Sequence, residues 1–356
     1  MKFLTVVGAR PQFVKASPLS RELRKHHHEV LVHTGQHYDH GMSAVFFTEL
    51  EIAEPDHNLG IGSGPHGAQT GAMLAALEEV ILAERPDAVV VYGDTNSTFA
   101  GALAAAKLNL PVAHVEAGLR SFNRGMPEEL NRLVADHVST WLFAPSQGAA
   151  DQLAAEGITG GVHVVGDIMM DALRLHSRRA VLPPSLGLTS GKYALATVHR
   201  AENTDEPERL RGILRALGAL GLPVILPLHP RTQKMIAEFG FTTADSIRLV
   251  EPVGYLEMLA LEASAAIILT DSGGVQKEAY HFGVPCLTLR DETEWTETLE
   301  FGWNRLCGAD PERIAAAALQ LPTQETPRPA LYGDGHAAER IVAALGGVKP
   351  ALTRVT

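Results

Sequence analysis

The chain has 356 residues, of which 46% are hydrophobic, 20% charged and 6% aromatic, a balance of globular proteins with a sizeable core, and its length predicts two domains. A formal net charge of −11 argues against a nucleic-acid partner, which calls for a basic face, and leaves any anionic ligand to locally clustered cations. No run reaches the ~18 uninterrupted apolar residues of a membrane-spanning helix, and Cys286 and Cys307 are too few for a disulfide framework, which fits a reduced cytosol.

In chain order, Met1-Lys-Phe-Leu-Thr-Val-Val-Gly8 is apolar, short and without a small-residue cleavage site, so it reads as a first strand rather than a signal peptide. Further strands are predicted at Val30–Thr34, Ala88–Tyr92, Val112–Val115, Trp141–Ala144 and Val162–Val165. A second set follows at Ala194–Val198, Val224–Leu228, Arg248–Val250, Ala266–Thr270 and Pro285–Leu289. Helical stretches such as Gln69–Glu84, Ala149–Glu156 and Glu206–Leu220 lie between them. Strands alternating with helices predict parallel sheets. Near the midpoint Arg178–Lys192, with Pro183-Pro184, reads as a linker between two doubly wound α/β domains. His26-His27-His28 reads as solvated surface.

In open parallel sheets ligands bind beyond the carboxyl ends of the strands. Here those ends read Gly8-Ala-Arg10, Gly35-Gln-His37, Gly93-Asp94, Glu116, Ser146, His199-Arg200, His229 and Asp271. Two domains turning such edges the same way form a cleft suited to a small molecule. Arg10, Lys15, His199-Arg200 and His229-Pro-Arg231 supply cations for two phosphate charges, although Lys15 and Arg231 also read as solvated surface and His199 as a structural histidine. Asp94, Glu116 and Glu128 supply carboxylates. Three of them at one cleft repel, which raises a pKa and suits proton transfer. Glu128 also reads as a first-turn acid paired with Arg132 at i,i+4.

Leu269-Thr-Asp-Ser-Gly-Gly-Val-Gln-Lys-Glu278 is the most informative segment. A strand runs into a helix that Asp271-Ser272 can cap, and Gly273 and Gly274 let the backbone close over a ligand. The helix N-terminus suits a diphosphate, and Glu278 can accept two bonds from a ribose diol. By contrast, Gly62-Ser-Gly-Pro-His-Gly67 fits a dinucleotide fingerprint only by letter. It follows no clear strand, contains Pro65, and Asp87 begins a strand where an acid should end one. There is no phosphate-binding P-loop, no Cys/His metal spacing and no nucleophile elbow.

Taken together, Gly8-Ala-Arg-Pro-Gln-Phe-Val-Lys15, Thr34-Gly-Gln-His-Tyr-Asp39, Tyr92-Gly-Asp-Thr-Asn-Ser-Thr98, His114-Val-Glu-Ala-Gly-Leu-Arg120, Pro127-Glu-Glu-Leu-Asn-Arg132, Thr197-Val-His-Arg-Ala-Glu-Asn203 and Thr270-Asp-Ser-Gly-Gly274 resemble the non-hydrolysing UDP-N-acetylglucosamine 2-epimerase family. The resemblance implies a GT-B-like α/β fold of two Rossmann-type domains with the active site in the cleft between them. It places the domains at residues 1–167 and 168–335, with a C-terminal helix over 336–356 packing back on the first. It also implies a cytoplasmic homodimer acting on a UDP-sugar for surface polysaccharide synthesis, without metal or nicotinamide. The family reaction eliminates UDP from C1 and the proton from C2, then returns both through a 2-acetamidoglucal intermediate.

Carried over by motif, Asp94, Glu116 and Glu128 are proton-transfer groups, with His199 beside them in the catalytic set. Arg10, Lys15 and His199 hold the diphosphate, aided by Arg132, Arg200 and His229. Ser272, Gly273 and Gly274 cradle phosphate, and Glu278 clamps ribose. Departures from the family pattern include Ala68 and Ala201 in place of arginines, and Thr293-Glu-Trp-Thr296 in place of Thr-Glu-Arg-Pro. These resemble the branch acting on UDP-2,3-diacetamido-2,3-dideoxyglucuronate, with Trp295 against an acetamido methyl and Arg290 available to a uronate carboxylate. A GT-B glycosyltransferase shares the fold and the phosphate site, but gives the three carboxylates no joint purpose. A non-catalytic UDP-sugar sensor leaves them equally unexplained, and a hydrolysing epimerase is a further variant.

Overall fold

Apolar, β-branched runs set the strands, and each is short because the next loop carries the polar residues. The computed structural model describes residues 1–36, 47–323 and 325–347; the motif residues His37-Tyr-Asp39 and the expected helical stretch 348–356 lie outside these. The chain divides into two compact units, one of Met1–His176 with the segment from Tyr332 onward, the other of Ser177–Leu331.

The first unit holds strands β1 (Lys2–Val7), β2 (His28–His33), β3 (His57–Asn58), β4 (Ala88–Tyr92), β5 (Val112–Val115), β6 (Trp141–Ala144) and β7 (Val162–Val164). They form one sheet in the order β3-β2-β1-β4-β5-β6-β7, with every pair parallel. Thr5 stands opposite both Leu31 and Val90. All five residues of β4 are buried, as expected of a central strand covered by helices on both faces. Val6, Val32, Val91, Met73 and Leu77 lie in its core.

The second unit holds β8 (Ala194–Thr197), β9 (Val224–Pro227), β10 (Ile247–Val250), β11 (Ile267–Thr270), β12 (Cys286–Thr288) and β13 (Asn304–Leu306). Its all-parallel order is β10-β9-β8-β11-β12-β13. In both sheets the first strand of the unit sits between the second and the fourth, so the order reverses there. Crevices that bind ligands open at such switch points: β1/β4 in the first unit and β8/β11 in the second. Each unit is thus a doubly wound Rossmann-type layer structure, and the chain has an α/β, GT-B-like fold.

The helix Ile168–His176 belongs to the first unit, so the second begins at Ser177, later than the boundary expected after residue 167. It packs on helix Arg10–Leu23, where Ser17 Oγ lies 2.8 Å from His176 Nε2. The C-terminal helix Ala337–Gly346 packs on the same helix. Its first N–H groups, of Ala337 and Ala338, donate to the Asp171 carboxylate at 3.0 and 2.9 Å, a cap supplied from a distant helix. The stretch Arg178–Lys192 is not a free tether. Leu182, Leu186 and Leu188 pack on the core of the second unit.

Two strands escape the sequence reading. β3 is two polar residues at an edge, and β13 (Asn-Arg-Leu) has no β-branched residue. Cys286 and Cys307 are both free and buried. No described helix is long and apolar enough to cross a membrane.

Candidate active site

In the first unit the acids sit at the carboxyl ends of adjacent strands. Gly93-Asp94 follows β4, and Glu116 follows its neighbour β5. Glu116 is a buried, non-glycine residue at φ 73°, a region that costs energy for any residue with a Cβ and that clusters at functional sites. The backbone is held there: Glu116 and Ala117 both donate to the Phe143 carbonyl at 3.1 Å. Its carboxylate forms an ion pair with Lys15 from helix Arg10–Leu23. Gly93 is the residue both approach. A Cβ there would lie 3.2 Å from Glu116 Oε2 and from Lys15 Nζ, and Gly93 itself has φ +60°.

Asp94 is paired with Arg132, which also donates to Glu129 at 3.2 Å. Asn131 on the same helix, Pro127–Val138, donates to the Asp94 carbonyl at 2.9 Å. Burial opposes the Arg132 charge, but the carboxylates of Asp94 and Glu116 and the bond to Glu129 outweigh it and raise its guanidinium above the ordinary arginine value. Two of the three predicted carboxylates are therefore paired with cations, so the mutual repulsion expected of the trio is not their environment.

The expected Glu128–Arg132 pair does not form. Arg132 reaches Glu129 one position nearer, because the guanidinium turns inward to Asp94. Glu129 is the buried acid of this turn, accepting from Ser121 N and Oγ at 2.8 and 2.9 Å and Phe122 N at 3.0 Å. Burial pushes Glu129 up, yet these donors and Arg132 hold it below the ordinary carboxylate range. Glu128 is exposed and makes no hydrogen bond or ion pair with another described residue. Arg10 stands half-buried at the first position of its helix.

Behind these loops lies a buried network that sequence reasoning missed. His114 of β5 places Nδ1 2.7 Å from Asp136 and Nε2 2.7 Å from the Gly93 carbonyl. Asp136 also accepts from Gly118 N at 3.1 Å and Arg120 at 2.7 Å, and Arg120 forks onto Glu156. Burial pushes Asp136 up, but His114 and Arg120 bring its carboxyl below the usual value. The signal was one histidine inside the otherwise apolar run Val112-Ala-His-Val115.

In the second unit His199-Arg200 follows β8, and Asp271-Ser272 follows its neighbour β11. Asp271 is fully buried and accepts from the backbone N–H of His199 and Arg200 and from Asn203 Nδ2, at 3.0–3.1 Å. His199 Nδ1 lies 3.0 Å from the same carboxylate, with the ring 38% exposed. Burial pushes Asp271 up, but the bond and charge of His199 and the backbone donors hold it below the ordinary range.

Asp271 is thus turned away from the helix it was expected to cap. Ser272 stands at the N-cap position of helix Gly273–Phe282 without a side-chain capping bond. Neither side chain caps the amides that open this helix, an arrangement suited to an anion. A Cβ at Gly273 would come 3.1 Å from Trp295 Nε1, whereas Gly274 is exposed and open. Glu278 is buried one turn further along. His229 caps helix Pro230–Glu238 through Arg231 N at 3.2 Å, with its ring 5.6 Å from that of His199. Arg231 is taken up by Asp205 at 2.6 and 3.0 Å.

Arg290 is not available as expected. It is buried and forks onto Glu294 at 2.9 and 3.1 Å. Trp295 stacks under the Lys277 ammonium, 3.8 Å from its ring centre. Among the described residues no group of three or more His, Cys, Asp or Glu is arranged to hold a metal ion.

Acids at the ends of adjacent strands β4 and β5 in one Rossmann-type sheet, and an uncapped helix end after β11 in the other, fit a two-domain α/β enzyme. Residues 21–346 match the UDP-N-acetylglucosamine 2-epimerase family. The chain belongs to that family and is an isomerase. It is 50% identical to a UDP-N-acetylglucosamine 2-epimerase homolog of Methanococcus maripaludis, over 97% of this chain and 99% of the relative. It is 49% identical to UDP-2,3-diacetamido-2,3-dideoxy-D-glucuronate 2-epimerase of Pseudomonas aeruginosa, over 96% and 98%. The crystal structure of the Methanocaldococcus jannaschii UDP-GlcNAc 2-epimerase in complex with UDP-GlcNAc and UDP superposes with a TM-score of 0.88 at 44% identity, covering 97% and 99%.

Proposed function

We propose that the chain interconverts UDP-N-acetylglucosamine and UDP-N-acetylmannosamine without net hydrolysis, as a cytoplasmic homodimer supplying surface polysaccharide precursors. The observation that carries this reading is the pair of cation-matched carboxylates, Asp94–Arg132 and Glu116–Lys15, at adjacent strand ends in a chain of this family. A carboxylate takes the C2 proton, the C1–O bond breaks with its electron pair leaving on UDP, and a C1=C2 double bond forms. In the return step an acid on the opposite face gives C2 a proton while the UDP oxygen closes again on C1. Electrons and atoms balance without a redox partner.

Asp94, Glu116 and Glu128 are the proton-transfer groups in this reading. Glu128, exposed and without a partner among the described residues, is the least constrained of them. Arg10, Lys15 and His199 take the diphosphate, with Arg132, Arg200 and His229 adding positive charge. Ser272, Gly273 and Gly274 cradle phosphate at the uncapped helix end, and Glu278 accepts from the ribose diol. In this reading His199, half-exposed at the end of β8 and bonded to Asp271, helps the leaving group depart. A second reading, UDP-2,3-diacetamido-2,3-dideoxyglucuronate 2-epimerase, is favoured by Trp295 beside Gly273 and by the Pseudomonas aeruginosa relative.

Proton NMR of UDP-N-acetylglucosamine incubated with the enzyme in heavy water tests the reaction. The manno epimer with deuterium at C2 is expected. Free N-acetylmannosamine as the main product, or an epimer that keeps its C2 proton, removes this mechanism.

A further inference from the structure

Glu262, on helix Tyr255–Ser264, is 0% exposed, and neither of its carboxyl oxygens receives an N–H or O–H. A buried polar group without a donor calls for an explanation. The helix packs against Gly273–Phe282, and what meets the Glu262 carboxyl is the carboxyl of Glu278. The other titratable groups around it are the Tyr193 and Tyr255 hydroxyls and the Cys286 thiol. Tyr193 donates its hydroxyl elsewhere, to the Leu261 carbonyl at 2.6 Å. Among the described residues no cation is found acting on Glu262.

Two facing carboxylates are both acceptors, and when both are ionised they repel. Binding one proton costs far less than keeping a second unpaired charge in a fully buried place. Burial first and the Glu278 charge second push Glu262 well above the ordinary carboxylate range. Once protonated, Glu262 becomes a donor, and the contact becomes a charge-assisted hydrogen bond. Glu278 is the less buried of the two, 7% exposed against 0%, so it is the partner that keeps the charge.

We propose that Glu262 is a neutral carboxylic acid at physiological pH that donates to Glu278 and holds it ionised and aimed at the vicinal diol of a nucleoside diphosphate. Glu262 is then a positioning residue, and its role rests on Glu278 being the ribose acceptor of the proposed function.

Calorimetric affinities for UDP and for 2′,3′-dideoxyuridine diphosphate separate the two ideas. Glu262→Leu, which removes the donor, should weaken UDP at least about tenfold while leaving the dideoxy analogue within about twofold. Glu262→Gln keeps an N–H donor and should stay within about threefold of the parent for UDP. Equal losses for both ligands in Glu262→Leu, or no loss for either, overturn the proposal. If Glu278→Ala itself fails to distinguish the ligands, the ribose reading falls and this inference with it. A measurement on the parent protein stands apart from folding of the variants. Infrared spectra at neutral pH should show a protonated-carboxyl carbonyl band that shifts in heavy water and is missing from Glu262→Gln. A parent spectrum without that band overturns the proposal.

Discussion

Glu116 allows the backbone strain at the site to be measured. At φ 73° a residue with a Cβ carries a left-handed penalty of about 1–2 kcal/mol. Glycine escapes that penalty but loses about 0.5–1 kcal/mol through its greater freedom in the unfolded chain. Glu116→Gly and Glu116→Ala both remove the carboxylate and strand Lys15, so the loss of that buried ion pair cancels between them. The difference left is the strain less glycine's entropic cost, and Glu116→Gly should be the more stable by about 0.5–1 kcal/mol. With a urea slope of about 2 kcal/mol per molar, its midpoint should lie about 0.25–0.5 M higher. The fluorescence of Trp141 on β6, next to β5, reports this once Trp295 and Trp303 are replaced by Phe. If Glu116 carries a proton as proposed, turnover should fall about 100-fold or more in both variants. If Glu116→Ala equals or exceeds Glu116→Gly in stability, the backbone is not strained there.

Asp94→Asn and Glu128→Gln should each lower turnover about 100-fold or more with UDP still bound; deuterium entering C2 at the parental rate in both would take them out of proton transfer. Glu278→Ala should weaken UDP by roughly 1.5–3 kcal/mol, the worth of charge-assisted bonds to the diol, and Ser272→Ala should weaken it to a smaller extent; calorimetry decides both. Asp271 is held below its unfolded value, so the stability it contributes is present above about pH 4 and is lost as pH falls through its folded value. Asp271→Asn should therefore flatten the acid side of a melting-temperature profile, and an unchanged profile would contradict the assignment. For substrate choice, a preference of about 100-fold in kcat/KM for UDP-N-acetylglucosamine, near 2.7 kcal/mol, would exclude the diacetamido glucuronate reading.

The central strands were legible because β-branched runs such as Ala88–Tyr92 must be buried on both faces, and a buried run must end where a polar residue begins. That rule alone brought Asp94, Glu116, His199 and Asp271 to strand ends. It does not reach β3 or β13, whose pairing is set by the neighbouring strand and not by their own residues. Nor could spacing choose between Glu128 and Glu129. Both lie in one helical turn, and the choice was made by where Arg132 points, which depends on Asp94 from another strand. Glu262 was illegible for a similar reason. In Tyr255-Leu-Glu-Met-Leu-Ala-Leu-Glu262 it resembles a solvated helix position, and tertiary packing, including that against helix Gly273–Phe282, buries it.

The charge pattern also bears on how an anion can be held by a chain of net charge −11. Lys15, Arg132, Arg231 and Arg290 all stand against carboxylates of their own unit. Each such pair is close to neutral at a distance, so these side chains lend a diphosphate less field than their number implies. The N-terminus of helix Gly273–Phe282 keeps its first N–H groups because Asp271 is committed to His199, Arg200 and Asn203 and Ser272 makes no side-chain cap. The same commitment fixes His199, whose ring is partly exposed at the end of β8, the strand beside β11. Phosphate affinity should then depend more on Gly273, Gly274 and the Asp271 anchor than on any single arginine. In the proposed site the bulk of Trp295 beside Gly273 would limit how closely a ligand approaches those amides.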